Sequence, residues 1–349
     1  MKRSLAVLAA VLLGTSLAGQ AQQAPVTANV TVNVPARGET VPVGTVAEDA
    51  ADDPAIWRNA RRPHASLIVA TDKRAGLYVY GLDGKVRHFI PAGRVNNVDL
   101  IDMGGQGVIV VASDRNDVTR ALLRLYRLDT AGGRLEPLGA VPGGADEAYG
   151  VCLMREGGKL HAFSVLKNGT IEQVAITLGS RSTAGLPIGQ TVRSLKLQTQ
   201  TEGCVVDPRS STLYVGEEDR GIWAFSARAD GSTQGRLVAA VDNAQLVADV
   251  EGLTLMPSGA RGGWLIASSQ GDNAYALFSL PGLKPAGRFR IAAGSFGATQ
   301  ETDGIAIAPG SFGPDYAGGL FVAQDGDNAP AAQNFKLVSW SDILMALSR

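Results

Sequence analysis

The sequence predicts an all-β protein, a six-bladed β-propeller with four-stranded antiparallel blades. Three observations lead to this prediction: short runs of Val, Ile, Leu and Thr between turn residues, 43 glycines, and a motif that recurs six times along the chain. Many short strands separated by turns are typical of all-β folds. A repeat of roughly 40 to 50 residues is the length of a propeller blade.

The recurring motif begins with a carboxylate or another polar residue, usually followed by Gly, and continues into alternating apolar residues. Its first residues are Asp53, Asn97, Tyr149, Glu202, Glu251 and Asp303, which lie 44 to 53 positions apart. We interpret each motif as the innermost strand of one blade. Six motifs therefore predict six blades.

A second strand, a polar loop and a third strand follow each motif. Strands are expected at residues 67–70 and 77–80 in the first blade, and at residues 212–215 and 222–225 in the fourth. A short helix is expected only in the tail that starts at Ser341. Because consecutive strands are antiparallel, the start of the first strand and the loop after the second share one face of the propeller.

The N-terminus has the form of a secretory signal. Lys2 and Arg3 precede an apolar run over residues 5–17, and small residues follow up to Ala21. A membrane span takes about 20 apolar residues, whereas a basic, a short apolar and a small-residue region in this order are typical of a cleaved signal. We predict a signal peptide over residues 1–21 and an exported protein, periplasmic or secreted, with no membrane association after cleavage.

The mature chain is nearly neutral and is expected to be a monomer. Loss of Lys2 and Arg3 leaves 30 basic against 33 acidic residues, which excludes a basic footprint for nucleic acid. We expect an N-terminal extension over residues 22–38 and the propeller domain over residues 39–349. Strand-like segments at 30–34 and 40–43 are expected to complete the last blade and close the ring. A linker is an equal alternative for residues 22–35.

Cys152 and Cys204 are the two cysteines of the chain. Export permits a disulfide, but the repeat does not place the two at equivalent positions. Buried free thiols and a bridge remain equal alternatives. Neither cysteine begins a Cys-x5-Arg phosphatase loop, which disfavours a cysteine nucleophile.

Acidic residues at first-strand starts and in second-strand loops are predicted to gather at one end of the central channel. Two unit charges about 4 Å apart repel by roughly 4 kcal/mol at an effective dielectric near 20, so either the carboxyl pKa values rise or cations bind. The three histidines stand singly, outside these loops, which disfavours zinc. Oxygen ligands alone favour Ca²⁺.

Four basic residues are predicted to lie beside these acids. Lys73, Arg74, Arg115 and Lys167 occupy the second-strand loops of three consecutive blades. Arginine and lysine next to bound calcium suit a polyanionic ligand such as a phosphate ester. Salt bridges to the neighbouring carboxylates are an equal alternative on charge pattern alone.

A series of ordered motifs resembles the β-propeller phytases, a family of alkaline, calcium-dependent enzymes, over about residues 39 to 342. The motifs are Asp-Asp-Pro-Ala-Ile-Trp at 52–57, Gly-Leu-Tyr-Val-Tyr at 76–80, Asn-Asn-Val-Asp at 96–99, Gln-Thr-Glu-Gly-Cys at 200–204, Glu-Glu-Asp at 217–219, Asp-Val-Glu-Gly-Leu-Thr at 249–254, Thr-Asp-Gly-Ile at 302–305, Phe-Val-Ala-Gln-Asp-Gly at 321–326 and Gln-Asn-Phe-Lys at 333–336. The resemblance implies a six-bladed fold, structural and catalytic Ca²⁺, and stepwise hydrolysis of phytate (myo-inositol hexakisphosphate), presented as calcium phytate, by an enzyme of the 3-phytase type.

The resemblance also implies roles for individual residues and two neighbouring phosphate sites, one for cleavage and one for affinity. The catalytic residues implied are Lys73, Arg115, Tyr149, Lys167 and Glu202. The phosphate contacts implied are Lys73, Arg74, Arg115, Tyr149 and Lys167. The calcium ligands or near neighbours implied are Asp52, Asp53, Glu202, Glu217, Asp249, Glu251 and Asp303 at the active site, and Asn97, Asp99, Asp325 and Asn328 at structural sites.

The implied mechanism is attack by a metal-activated water. No nucleophile motif based on Ser-His-Asp, His or Cys competes with it. Two rival functions stay open: another calcium-dependent propeller hydrolase, such as a lactonase or a phosphodiesterase, and a non-catalytic propeller that binds polyanions.

Overall fold

The structure, a computed structural model, describes residues 31–46, 49–179 and 185–349. These residues form 25 strands, four 3₁₀ turns and one α-helix. The strands are β1 (Thr31–Pro35), β2 (Gly38–Glu39), β3 (Ala51–Trp57), β4 (Leu67–Asp72), β5 (Gly76–Gly81), β6 (Val86–Pro91), β7 (Val95–Asp102), β8 (Val108–Asp114), β9 (Ala121–Asp129), β10 (Arg134–Gly144), β11 (Ala148–Glu156), β12 (Lys159–Leu166), β13 (Thr170–Thr177), β14 (Ile188–Lys196), β15 (Thr201–Asp207), β16 (Thr212–Glu217), β17 (Gly221–Ser226), β18 (Arg236–Ala240), β19 (Val250–Ser258), β20 (Gly262–Ser269), β21 (Ala274–Ser279), β22 (Lys284–Ala292), β23 (Ile305–Pro309), β24 (Gly319–Asp325) and β25 (Asn334–Ser339). The helix α1 covers Trp340–Leu347, and the 3₁₀ turns cover Pro63–Ala65, Gly104–Gln106, Gln270–Asp272 and Pro314–Tyr316.

Six sheets form the six blades, which confirms the predicted fold. Blades one to four are β3–β6, β7–β10, β11–β14 and β15–β18, blade five is β19–β22, and blade six is β23–β25 with β2. The inner strands β3, β7, β11, β15, β19 and β23 contact one another in a closed ring around the central channel. Clusters of buried Val, Ile, Leu and aromatic side chains fill the spaces between neighbouring blades. The predicted tail helix is confirmed as α1.

A β-bulge opens the inner strand of each of the first five blades. In blade one Ala51 pairs with Asp72 and Pro54 with Ala70, so that two residues, Asp52 and Asp53, stand opposite one. The same irregularity recurs in β7, β11, β15 and β19. A bulge re-aims the side chains at its position.

The bulges correct the predicted phase of the repeat in two blades. The first bulge residues are Asp52, Asn96, Tyr149, Glu202 and Glu251. The starts predicted at Asp53 and Asn97 are therefore wrong by one position. Those two residues occupy the second bulge position, which is glycine in blades three to five. Because a carboxylate or an amide stands there in blades one and two, the repeat predicted from sequence began one residue too late.

The glycine of the motif is required by close packing between blades. A Cβ at Gly150 would overlap the carbonyl oxygen of Glu202, and one at Gly203 would overlap that of Glu251. In blade one the equivalent residue is Asp53, whose Oδ2 accepts a hydrogen bond from Val98 N of blade two at 3.0 Å. Each blade is thus tied to the next at this position, by close backbone approach or by a side chain.

The N-terminal segment contacts two blades rather than one. Strand β1 pairs in parallel with β22, which gives blade five a fifth strand, so the prediction that residues 30–34 complete the last blade is wrong. Strand β2 closes the last blade by pairing with β25, and Thr40 N and Val43 N extend this pairing to Phe335 O and Gln333 O. The linker alternative is wrong for residues 31–35. The predicted signal peptide lies outside the described residues.

Cys152 of β11 and Cys204 of β15 form a disulfide, with their Cα atoms 5.8 Å apart. Of the two alternatives that the sequence left open, a disulfide is therefore correct and two buried free thiols are not. Among the described residues, no helix has the length and apolar character needed to cross a membrane.

Candidate functional site

One mouth of the central channel holds a polar cavity of about 400 Å³. It lies at the end where the inner strands begin. Its lining residues are Asp49, Lys73, Tyr149, Gln200, Glu202, Glu218, Asp249, Glu251, Gln270, Glu301, Asp303, Gln324, Gly326 and Gln333. The opposite part of the channel is a second, more apolar cavity of about 490 Å³.

The blade geometry builds the mouth from repeated positions. We call the first bulge residues, together with Asp303 of blade six, the bulge ring. We call the residues just after the second strands the loop ring; they are Lys73, Arg115, Lys167, Glu218 and Gln270. The backbone N–H of each loop-ring residue donates a hydrogen bond to the backbone carbonyl of a residue just before an inner strand, at 2.7 to 3.1 Å. The repeat thus fixes both rings at the same end of the channel.

Three buried carboxylates form an acidic cluster on one side of the mouth. Oxygens of Glu202, Glu218 and Glu251 lie within 4.8 Å of one another, close enough to hold one metal ion. Glu218 Oε1 and Glu251 Oε2 are buried without a hydrogen-bond partner among the described residues. Buried carboxylate oxygens without partners are costly. A cation in this cluster would satisfy them, so the donor set fits a hard metal ion.

The electrostatics of the cluster agree with this interpretation. Burial raises the pKa of Glu202 and of Glu251 well above the ordinary value, and the charges of neighbouring carboxylates raise them further. Burial raises the pKa of Glu218 to about 7, although a hydrogen bond from Gln200 opposes the shift. Asn96 Nδ2 donates a hydrogen bond to Glu202 Oε1 at 2.8 Å. Without a cation these acids favour protonation.

Lys73 joins carboxylates of blades one and six beside the acidic cluster. Its Nζ lies 2.8 Å from Asp49 Oδ2, 3.1 Å from Asp52 Oδ1 and 3.4 Å from Asp303 Oδ2. Burial would lower the pKa of Lys73, but the charges of Asp52, Asp303 and Asp49 outweigh it and raise the pKa. The ammonium therefore stays charged at the rim of the cavity.

Tyr149 lies between two cations of the loop ring. The Arg115 guanidinium carbon is 5.7 Å and the Lys167 Nζ is 5.1 Å from the centroid of its ring, within the range of a cation–π contact. Gln200 Nε2 donates to the phenol oxygen at 3.3 Å. Burial raises the pKa of Tyr149, and the charge of Glu202 raises it further. The phenol therefore stays neutral and can donate a hydrogen bond.

Several predicted metal ligands lie away from this mouth. Glu217 Oε1 accepts hydrogen bonds from Gln198 N and Thr199 N, and its Oε2 accepts one from Trp223 Nε1. Asp53 and Asp99 line the opposite cavity and accept backbone hydrogen bonds from the next blade. Burial raises the pKa of Asp99 to about 7.

The four predicted structural ligands fall into two places. Asn97 and Asp99 lie on β7, whereas Asp325 and Asn328 lie in blade six around the buried Lys336. Lys336 Nζ is 3.1 Å from Asp325 Oδ2 and 3.2 Å from Asn328 Oδ1. An ammonium group therefore already provides a positive charge to the blade-six pair.

The remaining predicted residues divide between the mouth and its rim. Asp249, Glu251 and Asp303 line the cavity. Arg74 is exposed, and its Nε donates to Asp49 O at 3.1 Å.

Three members of the bulge ring and the loop ring were not among the predicted catalytic, substrate-binding or metal residues: Asn96, Glu218 and Gln270. Gln270 Nε2 donates to Asp303 Oδ1. The signal that identifies all three is the repeat itself, because Asn96 occupies the bulge ring and Glu218 and Gln270 the loop ring. Starting the motif of blade two one residue earlier identifies Asn96, and comparing the residue after each second strand identifies Glu218 and Gln270.

The fold and the mouth define a propeller enzyme with a buried acidic cluster that can hold a metal ion and a cationic half that can hold an anion. A sequence model of the family described as Phytase matches residues 2–349. A 3-phytase of Bacillus subtilis (strain 168) is 37% identical over 329 residues, which cover 90% of this chain and 85% of the relative. The chain belongs to the phytase family.

Proposed function

We propose that this enzyme is a calcium-dependent phosphomonoesterase of the 3-phytase type, which hydrolyses phytate at the channel mouth. Membership of the phytase family disfavours the alternative of a propeller that binds polyanions without catalysis. One observation carries the rest of the proposal. An acidic cluster, in which two buried oxygens have no hydrogen-bond partner in the described part of the chain, and a set of lysine and arginine side chains share one mouth of the channel.

The proposed roles follow from position. Glu202, Glu218 and Glu251 would hold calcium, with Asp52, Asp249 and Asp303 beside them. Bound calcium would neutralise substrate charge and lower the pKa of a water molecule. Lys73 and Arg115 would stabilise charge on the oxygens of the phosphate that is cleaved. Tyr149 would donate a hydrogen bond from its hydroxyl to that phosphate, and Lys167 would bind a neighbouring phosphate.

A second candidate function, hydrolysis of a neutral lactone, is disfavoured by the same cations. Lys73 lines the mouth, Arg115 and Lys167 flank Tyr149 there, and hydrolysis of a neutral substrate would not require three cations at this site. Phosphate release from calcium phytate, measured before and after chelation, tests the proposal. We expect activity to be lost in EDTA and restored by added Ca²⁺. Full turnover after exhaustive chelation would contradict calcium dependence.

The role of Arg115 has its own test. Its guanidinium contacts the Tyr149 ring and lies 3.6 Å from Glu147 Oε1. We expect Arg115→Ala to lower turnover by about a hundredfold, the scale of losing a charge-stabilising donor, with an unchanged melting temperature. The matched control is Arg228→Ala, an exposed arginine paired with Asp230 at the opposite end of its blade. Wild-type turnover in Arg115→Ala would remove this residue from the site.

Export and a monomeric state also remain proposals. The basic, apolar and small-residue regions of residues 1–21 support cleavage after Ala21. Mass spectrometry of the mature protein should then give Gln22 as the first residue, and light scattering should give the mass of one chain. A retained N-terminus or a dimer mass would contradict them.

A further inference from the structure

A completely buried arginine, Arg288, lies on strand β22 of blade five. It pairs with Ala276, near the start of β21, which places it at the mouth end of the blade. Alternation along β22 puts Arg288 and Arg290 on one face, whereas Phe289 and Ile291 pack into the core from the other. The two arginines therefore point to the same side of the strand.

Both arginines bind one aspartate in the 3₁₀ turn Gln270–Asp272. Arg288 Nη2 lies 2.7 Å from Asp272 Oδ1 and 2.6 Å from Asp272 Oδ2. Arg290 Nη2 is 3.2 Å from Asp272 Oδ2, and Arg290 Nε donates to Asp272 O at 2.9 Å. Arg288 Nη1 also donates to Thr31 Oγ1 of β1 at 3.0 Å. The Arg288 guanidinium is thus fixed between the N-terminal strand and this turn.

The same turn holds the segment of chain that enters blade six. Gln270 lines the mouth cavity, and its Nε2 donates to Asp303 Oδ1. Asn273, the residue directly after the turn, accepts a hydrogen bond at Oδ1 from Glu301 N at 2.7 Å. The Asp303 side chain and the backbone just before it are therefore both bound to blade five.

Asp303 connects this turn to the proposed phosphate contact Lys73. Its Oδ1 accepts the hydrogen bond from Gln270, and its Oδ2 lies 3.4 Å from Lys73 Nζ. A shift of the turn would therefore move the carboxylate and, with it, the partner of the ammonium group. Misplacement of a reacting group by about 1 Å can lower a rate by about a hundredfold.

The buried ion pair of Arg288 and Asp272 is better suited to fixing geometry than to adding stability. A buried ion pair often stabilises a protein no more than well-packed apolar residues of the same volume. By contrast, the two-pronged contact of a guanidinium with a carboxylate fixes the orientation of both groups. Arg288 is too deeply buried to contact substrate, so any effect on turnover passes through Asp272.

We propose that Arg288 is a positioning residue for the proposed reaction. By binding Asp272 it fixes the turn that carries Gln270, and Gln270 orients Asp303 beside Lys73. The inference rests on the proposed function, because it takes Lys73 as a contact of the phosphate that is cleaved. It gives the outer strand of blade five a role in turnover without contact to the substrate.

Arg288→Met tests this role, since methionine fills much of the buried volume but cannot bind Asp272. We expect kcat for phytate to fall about tenfold, the scale of losing a partner that orients a site residue, and KM to stay within about twofold. The matched control is Arg193→Met. Arg193 is a buried arginine on the outer strand of blade three, and it donates to Ser226 O and Ser232 O at the end away from the mouth.

The control variant should lose stability and keep its kcat, with both variants assayed well below their melting temperatures. Wild-type kcat in Arg288→Met, or the same loss of kcat in Arg193→Met, would overturn the positioning role.

A double variant with Gln270→Met separates positioning from a purely structural role. Gln270→Met removes the amide that orients Asp303, so we expect it to lower kcat by itself. If Arg288 acts through Gln270, adding Arg288→Met lowers the melting temperature but lowers kcat no further. Losses of kcat that multiply in the double variant would contradict the proposal.

Asp272→Asn provides the same test if Arg288→Met does not fold. Both arginines are kept, but an amide nitrogen replaces one carboxylate oxygen and faces their donors. We expect kcat to fall about threefold, since one prong of the contact remains, and to fall no further when Gln270→Met is added. An unchanged kcat in Asp272→Asn would show that the ion pair does not position the turn.

Failure of the proposed function and failure of this inference give different results. A wild-type protein that releases no phosphate from phytate contradicts the proposed function. A wild-type protein that releases phosphate, beside an Arg288→Met protein with the same kcat, contradicts only the role of Arg288.

Discussion

Two adjacent glutamates after strand β16 have different environments. Glu217 is the last residue of β16, and its carboxylate receives hydrogen bonds from two backbone amides and from the Trp223 indole. Glu218 is one residue further, faces the mouth cavity and has a buried Oε1 that receives no hydrogen bond from residues 31–46, 49–179 or 185–349. At the scale of the residue, we therefore expect the first to have a structural role and the second to be the better metal ligand.

Substituting each glutamate by glutamine separates these roles. We expect Glu218→Gln to weaken calcium binding at least tenfold, because a charged ligand is replaced by a neutral one, and to leave stability nearly unchanged. We expect Glu217→Gln to lower the free energy of unfolding by about 3 kcal/mol, since its amide nitrogen would face a buried donor. Calorimetric calcium titration and urea unfolding measure the two effects.

Each variant is the control for the other. The assignment is contradicted if Glu217→Gln stays as stable as the wild type but loses calcium affinity, while Glu218→Gln keeps its calcium affinity. The ligand role that the resemblance implies for Glu217 would then be correct.

The sequence could place acids at the mouth but could not separate neighbours such as these. The difference between Glu217 and Glu218 depends on where β16 ends and on which donors the loop at residues 198–199 presents. Those donors come from another part of the chain. Similarly, Asp53 occupies the bulge position that is glycine in the later blades, and no pattern in blade one alone reveals this equivalence.

At the scale of the element, strand β1 shows how an edge of a blade is covered. It pairs in parallel with β22, and Val34 is buried against the core that contains Phe289 and Ile291. The residue before it, Asn33, is exposed. This alternation is what a strand with one buried face requires.

We expect Val34→Ser to lower the free energy of unfolding by about 2 kcal/mol, because it removes buried apolar surface and adds a buried hydroxyl. Asn33→Ser should change it by less than about 0.5 kcal/mol, as is usual for surface positions. Urea unfolding followed by fluorescence measures both. Equal stability of the two variants would show that β1 does not contribute to the core of blade five.

Strand existence was predictable from sequence, but the partner of β1 was not. Alternation of Val with polar residues over 30–34 indicates a strand in any sheet. The choice between blades five and six depends on the path between β1 and β2, since Gly38 and Glu39 already pair with β25. The second and third strands of each blade follow their motif directly, and local pairing made them predictable.

At the scale of the whole molecule, the disulfide joins the inner strands of blades three and four. Cys152 lies three residues after Tyr149, and Cys204 lies two residues after Glu202. The bridge spans 52 residues of sequence. For a loop of this length, the chain-entropy account gives a stabilisation of about 4 kcal/mol.

We expect the double variant Cys152→Ser, Cys204→Ser to unfold at a lower urea concentration than the oxidised wild type. The fully reduced wild type is the matched control, since it keeps both side chains without the bond. The two should lose similar stability. A double variant as stable as the oxidised protein would show that the closed ring of blades holds these strands without the bridge.

The charge of the mouth makes the stability of the calcium-free protein depend on pH. Burial raises the pKa of Glu218 from 4.5 to about 7, and burial also raises those of Glu202 and Glu251. The folded protein therefore binds protons that the unfolded chain has released. By linkage, this contribution to stability is complete below the unfolded pKa near 4.5 and is lost as pH rises through the folded pKa.

We expect the melting temperature in EDTA to fall between pH 5 and pH 8, and to fall less in Glu218→Gln, which lacks one of the acids. Excess calcium should remove most of the decrease, because the ion replaces the protons as partner of the carboxylates. His88 and His161, whose pKa values burial lowers, act in the opposite sense, equally with and without calcium. The decisive quantity is therefore the difference between the EDTA and calcium curves. If that difference is constant from pH 5 to pH 8, or shrinks toward pH 8, the three glutamates do not share a cation site.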